Sequence, residues 1–86
     1  MRTIVVYRPN TEVERPVIEF MREFEHRTGK TLETLDPDTR DGAGFIEIYD
    51  IVEYPTLVAL DDSGHVQQVW RGLPLPTMSE VSYYAQ

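Results

Sequence analysis

The sequence predicts an α/β domain with the element order βαβαββα around a mixed sheet. Three observations carry that expectation. "TIVVY", residues 3–7, is a β-branched and aromatic run without polar alternation, the pattern of a strand covered on both faces. Val13, Val17, Phe20, Met21 and Phe24 then recur at helical spacing along one stripe. Further on, "TLVAL" and "HVQQVW" flank "DDSG", which is a hairpin signal.

Taken in chain order, the first strand is broken by "RPNT". The helix after it is expected to end at Gly29, placed as a C-cap behind Arg27 in the last turn. Glu23 and Arg27 form a favourable i,i+4 pair on its exposed side. Two starts are open: Thr11 as N-cap with Pro16 about a turn inside, or a regular helix beginning near Pro16. "KTLETLD" reads as a more polar strand at a sheet edge. Asp38 is expected to cap a second helix whose buried side carries Phe45, Ile48, Tyr49 and Val52, with Gly42 and Gly44 weakening its first turns.

In the hairpin, Gly64 is available for a positive-φ position, and Val66, Gln68 and Trp70 fall on one face of the last strand. "GLPLP" interrupts the pattern. Thr77 and Glu80 then form a capping box ahead of a short helix, "MSEVSYYA". The opening half implies parallel strands joined by a right-handed crossover, and the hairpin adds antiparallel pairing. Phe20, Phe24 and Leu57 are expected in the core.

Eighty-six residues make one domain, residues 1–86, because a chain this size buries only roughly 60–65% of its unfolded surface. An apolar fraction of 41% and a charged fraction of 27% are ordinary for a soluble globular protein. No apolar run approaches the roughly 20 residues that span a bilayer. "MRTIVVYRPN" has too short an apolar run for a secretory signal, so the expected compartment is the cytoplasm. The net charge of −7 argues against nucleic acid as partner, since phosphate neutralisation needs clustered Lys and Arg. There is no cysteine, which excludes disulfide staples, thiolate metal sites and cysteine nucleophiles together.

"YDIVEYPTLVALDDSGHVQQVWRG" sets a helix end, a Tyr54-Pro55 step, a strand, a turn, a second strand and Gly72 in order. With the element order, it resembles the thioredoxin superfamily, from about Thr3 to Ala85. The resemblance implies a thioredoxin-like fold, a mixed four-stranded sheet with helices on both faces, and a cis Tyr54-Pro55 bond. A proline without a donor is tolerated at that strand entry.

"VVYRPNTEVERP" is similar to the glutaredoxin-type strand and active-site loop, with Thr11 and Glu14 standing where the two cysteines of Cys-x-x-Cys would be. Val5 occupies the place of the buried carboxylate of thioredoxins, and "RGLPLP" does not supply the glutathione-contacting Gly-Gly-x-Asp segment. Thiol–disulfide exchange requires a thiolate and a resolving thiol, so the disulfide chemistry is absent.

The resemblance further implies one groove bordered by three segments: Arg8, Pro9, Asn10 and Thr11; Tyr54, Pro55 and Thr56; and Arg71, Gly72 and Leu73. The expected function is a redox-inactive module that contacts a protein or peptide there, with no catalytic residue and no cofactor. One alternative is a glutathione- or thiol-handling transferase in which Thr11, at a helix N-terminus, holds a substrate thiolate. Another is a KaiB-like interaction protein, which shares the early βαβ but not the C-terminal hairpin.

No metal site is expected. His26 and His65 lie 39 positions apart with no third ligand near, and Asp61 and Asp62 beside Gly64 are explained by turn chemistry. Glu12 and Glu14 suit a helix start, and Glu19 is a solvated position.

Overall fold

The computed structural model describes residues 1–85. Its elements are β1 (Arg2–Val6), α1 (Glu14–Thr28), β2 (Glu33–Leu35), α2 (Arg40–Ile48), β3 (Thr56–Leu60), β4 (Val66–Arg71) and α3 (Met78–Tyr84). One sheet runs in the order β2-β1-β3-β4. β1 and β2 are parallel, while β1–β3 and β3–β4 are antiparallel. The first half is therefore a crossover unit and the second a hairpin, as the element order predicts. No described helix is long and apolar enough to cross a membrane.

Successive strand residues point to opposite faces, and here both faces are covered. Val5 and Leu57 meet Val17 and Phe24 of α1 and Val81 of α3. Ile4, Val6, Val58 and Leu60 meet Phe45, Ile46 and Tyr49 on the α2 side, together with Ile51. All five residues of β3 are buried, which is why "TLVAL" carries no polar alternation. Two buried threonines are satisfied: Thr3 donates to the Tyr84 carbonyl at 3.5 Å and Thr56 to the Glu53 carbonyl at 2.6 Å.

α1 begins at Glu14, with Val13 as a cap that supplies no side-chain bond. Thr11 is not the cap. Pro16 lies in the first turn, where its missing N–H would have had no helical acceptor, so the helix passes through it unbroken. At the other end Gly29 takes φ 73° and donates to the Glu25 carbonyl at 2.8 Å. The Glu23–Arg27 pair closes at 2.7 Å.

α2 corrects two expectations. Its cap is Thr39, not Asp38: the Thr39 hydroxyl oxygen accepts the Gly42 N–H at 3.0 Å. Its buried side carries Gly42, Phe45, Ile46 and Tyr49, whereas Ile48 and Val52 are 75% and 78% exposed. The stripe starts at Gly42, so helical spacing selects 45, 46 and 49. Asp50 at φ 54° then ends the helical path, and Ile51 takes the core place that Val52 was expected to hold.

In β4 the expected common face of Val66, Gln68 and Trp70 is broken by a register shift. Trp70 opposes Leu57 and Gln68 opposes Ala59, but Val66 opposes Leu60, leaving Gln67 as an extra residue. Such a bulge moves the residues beyond it to the other face. Val66, opposite Leu60, thus falls on the α2 side of the sheet, where it stays exposed, and Trp70 packs on the α1/α3 side.

The Thr77–Glu80 capping box forms as expected. Glu80 also accepts the Trp70 indole N–H at 3.4 Å, and the Trp70 ring stands edge-on to Tyr84 at 5.6 Å. The Thr77 backbone N–H, then its hydroxyl and the indole, hold the Glu80 carboxyl below its ordinary 4.5. A lowered folded-state value means that this contribution is present above the unfolded value and is lost as pH falls through the folded one. Emission from Trp70, the single tryptophan, should therefore show an acid transition centred below pH 4.5. Glu80→Gln should abolish it; an unchanged transition in that variant would exclude Glu80 as its source.

Candidate functional site

The registers bring three chain ends together. Val6 opposes Thr56, and Thr56 opposes Arg71, so the end of β1, the start of β3 and the end of β4 lie side by side. The Tyr54–Pro55 peptide bond is cis, as is Leu73–Pro74. Pro55 needs no donor because the bond there runs the other way: Gly72 N–H donates to the Pro55 carbonyl at 2.8 Å. Gly72 takes φ 71°, and a Cβ there would meet Glu53 Oε2 at 2.9 Å, so this junction suits glycine.

The loop after β1 folds on itself. The Thr11 hydroxyl donates to the Arg8 carbonyl at 2.6 Å, and Glu14 N–H donates to the Thr11 carbonyl at 3.2 Å. Asn10, at φ 62°, donates its N–H to Glu14 Oε2 at 2.8 Å. Thr11 and Glu14 thus hold the turn between β1 and α1. Tyr7, half-buried at the loop's base, has its phenol raised above 10 by burial first and then by the Glu14 and Asp36 charges.

Arg8 joins this loop to the next segment. Its guanidinium carbon lies 4.8 Å over the Tyr54 ring centroid, within cation–π range. Its Nε donates to Asp38 Oδ2 at 3.1 Å and to Oδ1 at 3.3 Å. Asp38 is in turn oriented by its own N–H, which donates to Asp36 Oδ1 at 2.9 Å. Both partners of the Arg8–Asp38 pair are solvent-exposed, so it orders the loop more than it stabilises the fold.

The structure therefore brings Arg8, Tyr54, Pro55, Thr56, Arg71 and Gly72 into one neighbourhood. Pro55 and Thr56 lie beneath its surface with buried side chains, while Tyr54 is half-buried and Leu73 is 55% exposed. Arg71 is exposed and makes no ion pair among the described residues. Thr11 and Glu14 also border an open depression of about 440 Å³ along α1, with Arg15, Ile18, Glu19 and Arg22.

Sequence reasoning missed Asp38 as the partner of Arg8. A signal existed: parallel pairing aligns Val6 with Leu35, so residues 36–38 must leave β2 beside residues 7–8. Asp61 behaves as turn chemistry predicts, accepting the Ser63 and His65 N–H groups at 2.9 Å each. Those two bonds, His65 first, hold its carboxyl below its ordinary range. Among the described residues no group of three His, Asp or Glu side chains is placed to hold a metal ion.

No family model matches the chain, and no curated protein matches it. Among solved structures it is similar to thioredoxin 1 from the thermophilic eubacterium Thermosipho africanus. The TM-score is 0.66 and the identity 13%, over 98% of this chain and 89% of that one. At that identity the likeness is one of fold. The chain has a thioredoxin-like fold and, with no cysteine in its sequence, lacks the Cys-x-x-Cys motif.

Proposed function

We propose that the chain is a redox-inactive thioredoxin-like binding module that contacts a protein or peptide at the sheet end formed by residues 8–11, 54–56 and 71–73. The observation that carries this reading is that the three segments are tied to one another. Arg8 lies over Tyr54, and Gly72 is bonded to Pro55. A surface held in place before binding loses less conformational freedom when a partner arrives. Tyrosine and arginine are also the side chains that interfaces favour, and Tyr54, Arg8 and Arg71 supply them here.

The same geometry disfavours a thiol-handling transferase that uses Thr11. The hydroxyl proton already goes to the Arg8 carbonyl at 2.6 Å, so it is not offered to a thiolate. A random-peptide library panned against the protein tests the binding reading, followed by amide chemical-shift mapping with an enriched peptide. Shifts should concentrate at Arg8, Tyr54, Arg71 and Gly72, and Arg71→Glu combined with Tyr54→Ala should abolish binding. Failure to enrich any peptide above the bare support, or shifts centred on the turn at residues 61–65, would overturn it.

A further inference from the structure

β4 is an edge strand, paired to β3 on one side only. Such an edge presents unpaired backbone groups and is a template for another strand. Its sequence "VQQVWR" is uncharged up to Arg71 and rich in strand-forming residues, the composition that favours edge-to-edge pairing. The state of its outward-facing groups therefore decides whether the chain pairs with itself.

In an antiparallel pair, residues alternate between facing the partner strand and facing away. Gly72 donates to Pro55, so Trp70 and Gln68 face β3, whereas Val69 and Arg71 present their backbone outward. The outward Val69 N–H is occupied: Gln68 Oε1 accepts it at 3.0 Å. Next to it, the bulge leaves Gln67 with no residue opposite. Its side-chain amide turns back onto the hairpin turn, donating to the His65 carbonyl at 3.3 Å and to Asp61 Oδ2 at 3.4 Å. The lower half of β4 is thus bent, and its outward donor at Val69 is filled by the chain's own side chain. At the opposite edge β2 is only three residues long, and the Arg2–Glu33 pair, with two contacts of 2.9 Å, ties it to β1.

We propose that Gln67 and Gln68 guard the β4 edge, closing it to strand addition by a second copy of this chain. The guard works by two means: Gln68 takes the donor an incoming strand would use, and the bulge at Gln67 removes the straight register that strand would need. This inference is independent of the peptide-binding reading, because it concerns the strand edge and not the sheet end.

Amide exchange and sedimentation test it. In the parent protein the Val69 amide, corrected for intrinsic rates, should exchange about two- to tenfold more slowly than the equally outward Arg71 amide, the margin of one net hydrogen bond. Sedimentation should not depend on concentration. Gln68→Val should remove the Val69 protection in dilute solution and produce self-association as concentration rises. Gln68→Glu, which keeps an acceptor oxygen, should sediment like the parent. Equal exchange at Val69 and Arg71 in the parent would overturn the proposal without any variant. So would a folded Gln68→Val protein that sediments like the parent at every concentration; should that variant not fold, Gln68→Ala replaces it in the same comparison.

Discussion

Replacing Phe24 by alanine is expected to lower folding stability by about 3–5 kcal/mol, the range for a fully buried phenylalanine. The side chain is 0% exposed. It sits where α1 meets both the sheet and α3, among Val5, Val17, Leu57 and Val81. The cavity left by truncation would be walled by two strands whose backbone is fixed by hydrogen bonds on both sides, so little collapse can offset the loss. Domains of this kind have only about 5–15 kcal/mol in total, and the variant should unfold at a much lower denaturant midpoint with an unchanged slope. Phe20, stacked on Phe24 at 6.4 Å but only half-buried, should show a smaller loss when truncated. A Phe24→Ala loss below about 0.5 kcal/mol, the level of a surface change, would contradict the docking of α1.

The second large effect is expected at Gly42. Glycine inside a helix ordinarily weakens it, and Gly→Ala ordinarily helps by about 1 kcal/mol. Here the sign should reverse. Gly42 is buried where α2 passes against residues 36–37, and a Cβ there would run into the Asp36 carbonyl oxygen. The carbonyl carbon would stand at 2.6 Å and Pro37 Cα at 2.9 Å. Those are backbone atoms and cannot rotate aside, so Gly42→Ala should destabilise by at least the roughly 1–3 kcal/mol of an overpacked core.

The effect should also reach the candidate site, because Asp36 orients Asp38 and Asp38 holds Arg8 against Tyr54. Gly44, with open space around its Cβ position, is the internal control: Gly44→Ala should be neutral or stabilising. Equal midpoints for the two variants in chemical denaturation would refute the close approach.

Gly42 also shows where sequence reasoning stops. Read locally, Gly42 and Gly44 are alike: two weak positions in the first turns of one helix. Only packing separates them, since the atoms that exclude a side chain at Gly42 belong to the loop after β2. The same holds for the cap of α2. Asp38 and Thr39 are both good N-cap residues, and in the fold Thr39 caps the helix while Asp38 pairs with Arg8. The bulge in β4 is likewise invisible in "VQQVW", where strict alternation predicts a single face for Val66, Gln68 and Trp70.

Signals that act within a few residues were legible in the sequence. They include the helical stripe of α1, the Gly29 cap, the Thr77–Glu80 capping box, the hairpin turn at Gly64 and the βαβαββα order. The absence of a Cys-x-x-Cys motif was legible too, because it needs only a count of cysteines. Each of these rests on periodicity, a preferred backbone angle or the presence of an atom, which a linear reading contains. The tertiary structure alone decided that Arg8 reaches Asp38, thirty positions away, and lies over Tyr54. It alone decided that Gly72 closes onto Pro55, and that the stripe of α2 begins at Gly42. Those outcomes depend on which strand lies beside which, and strand order is set by burial of the whole sheet between its helices, not by any residue's local preference.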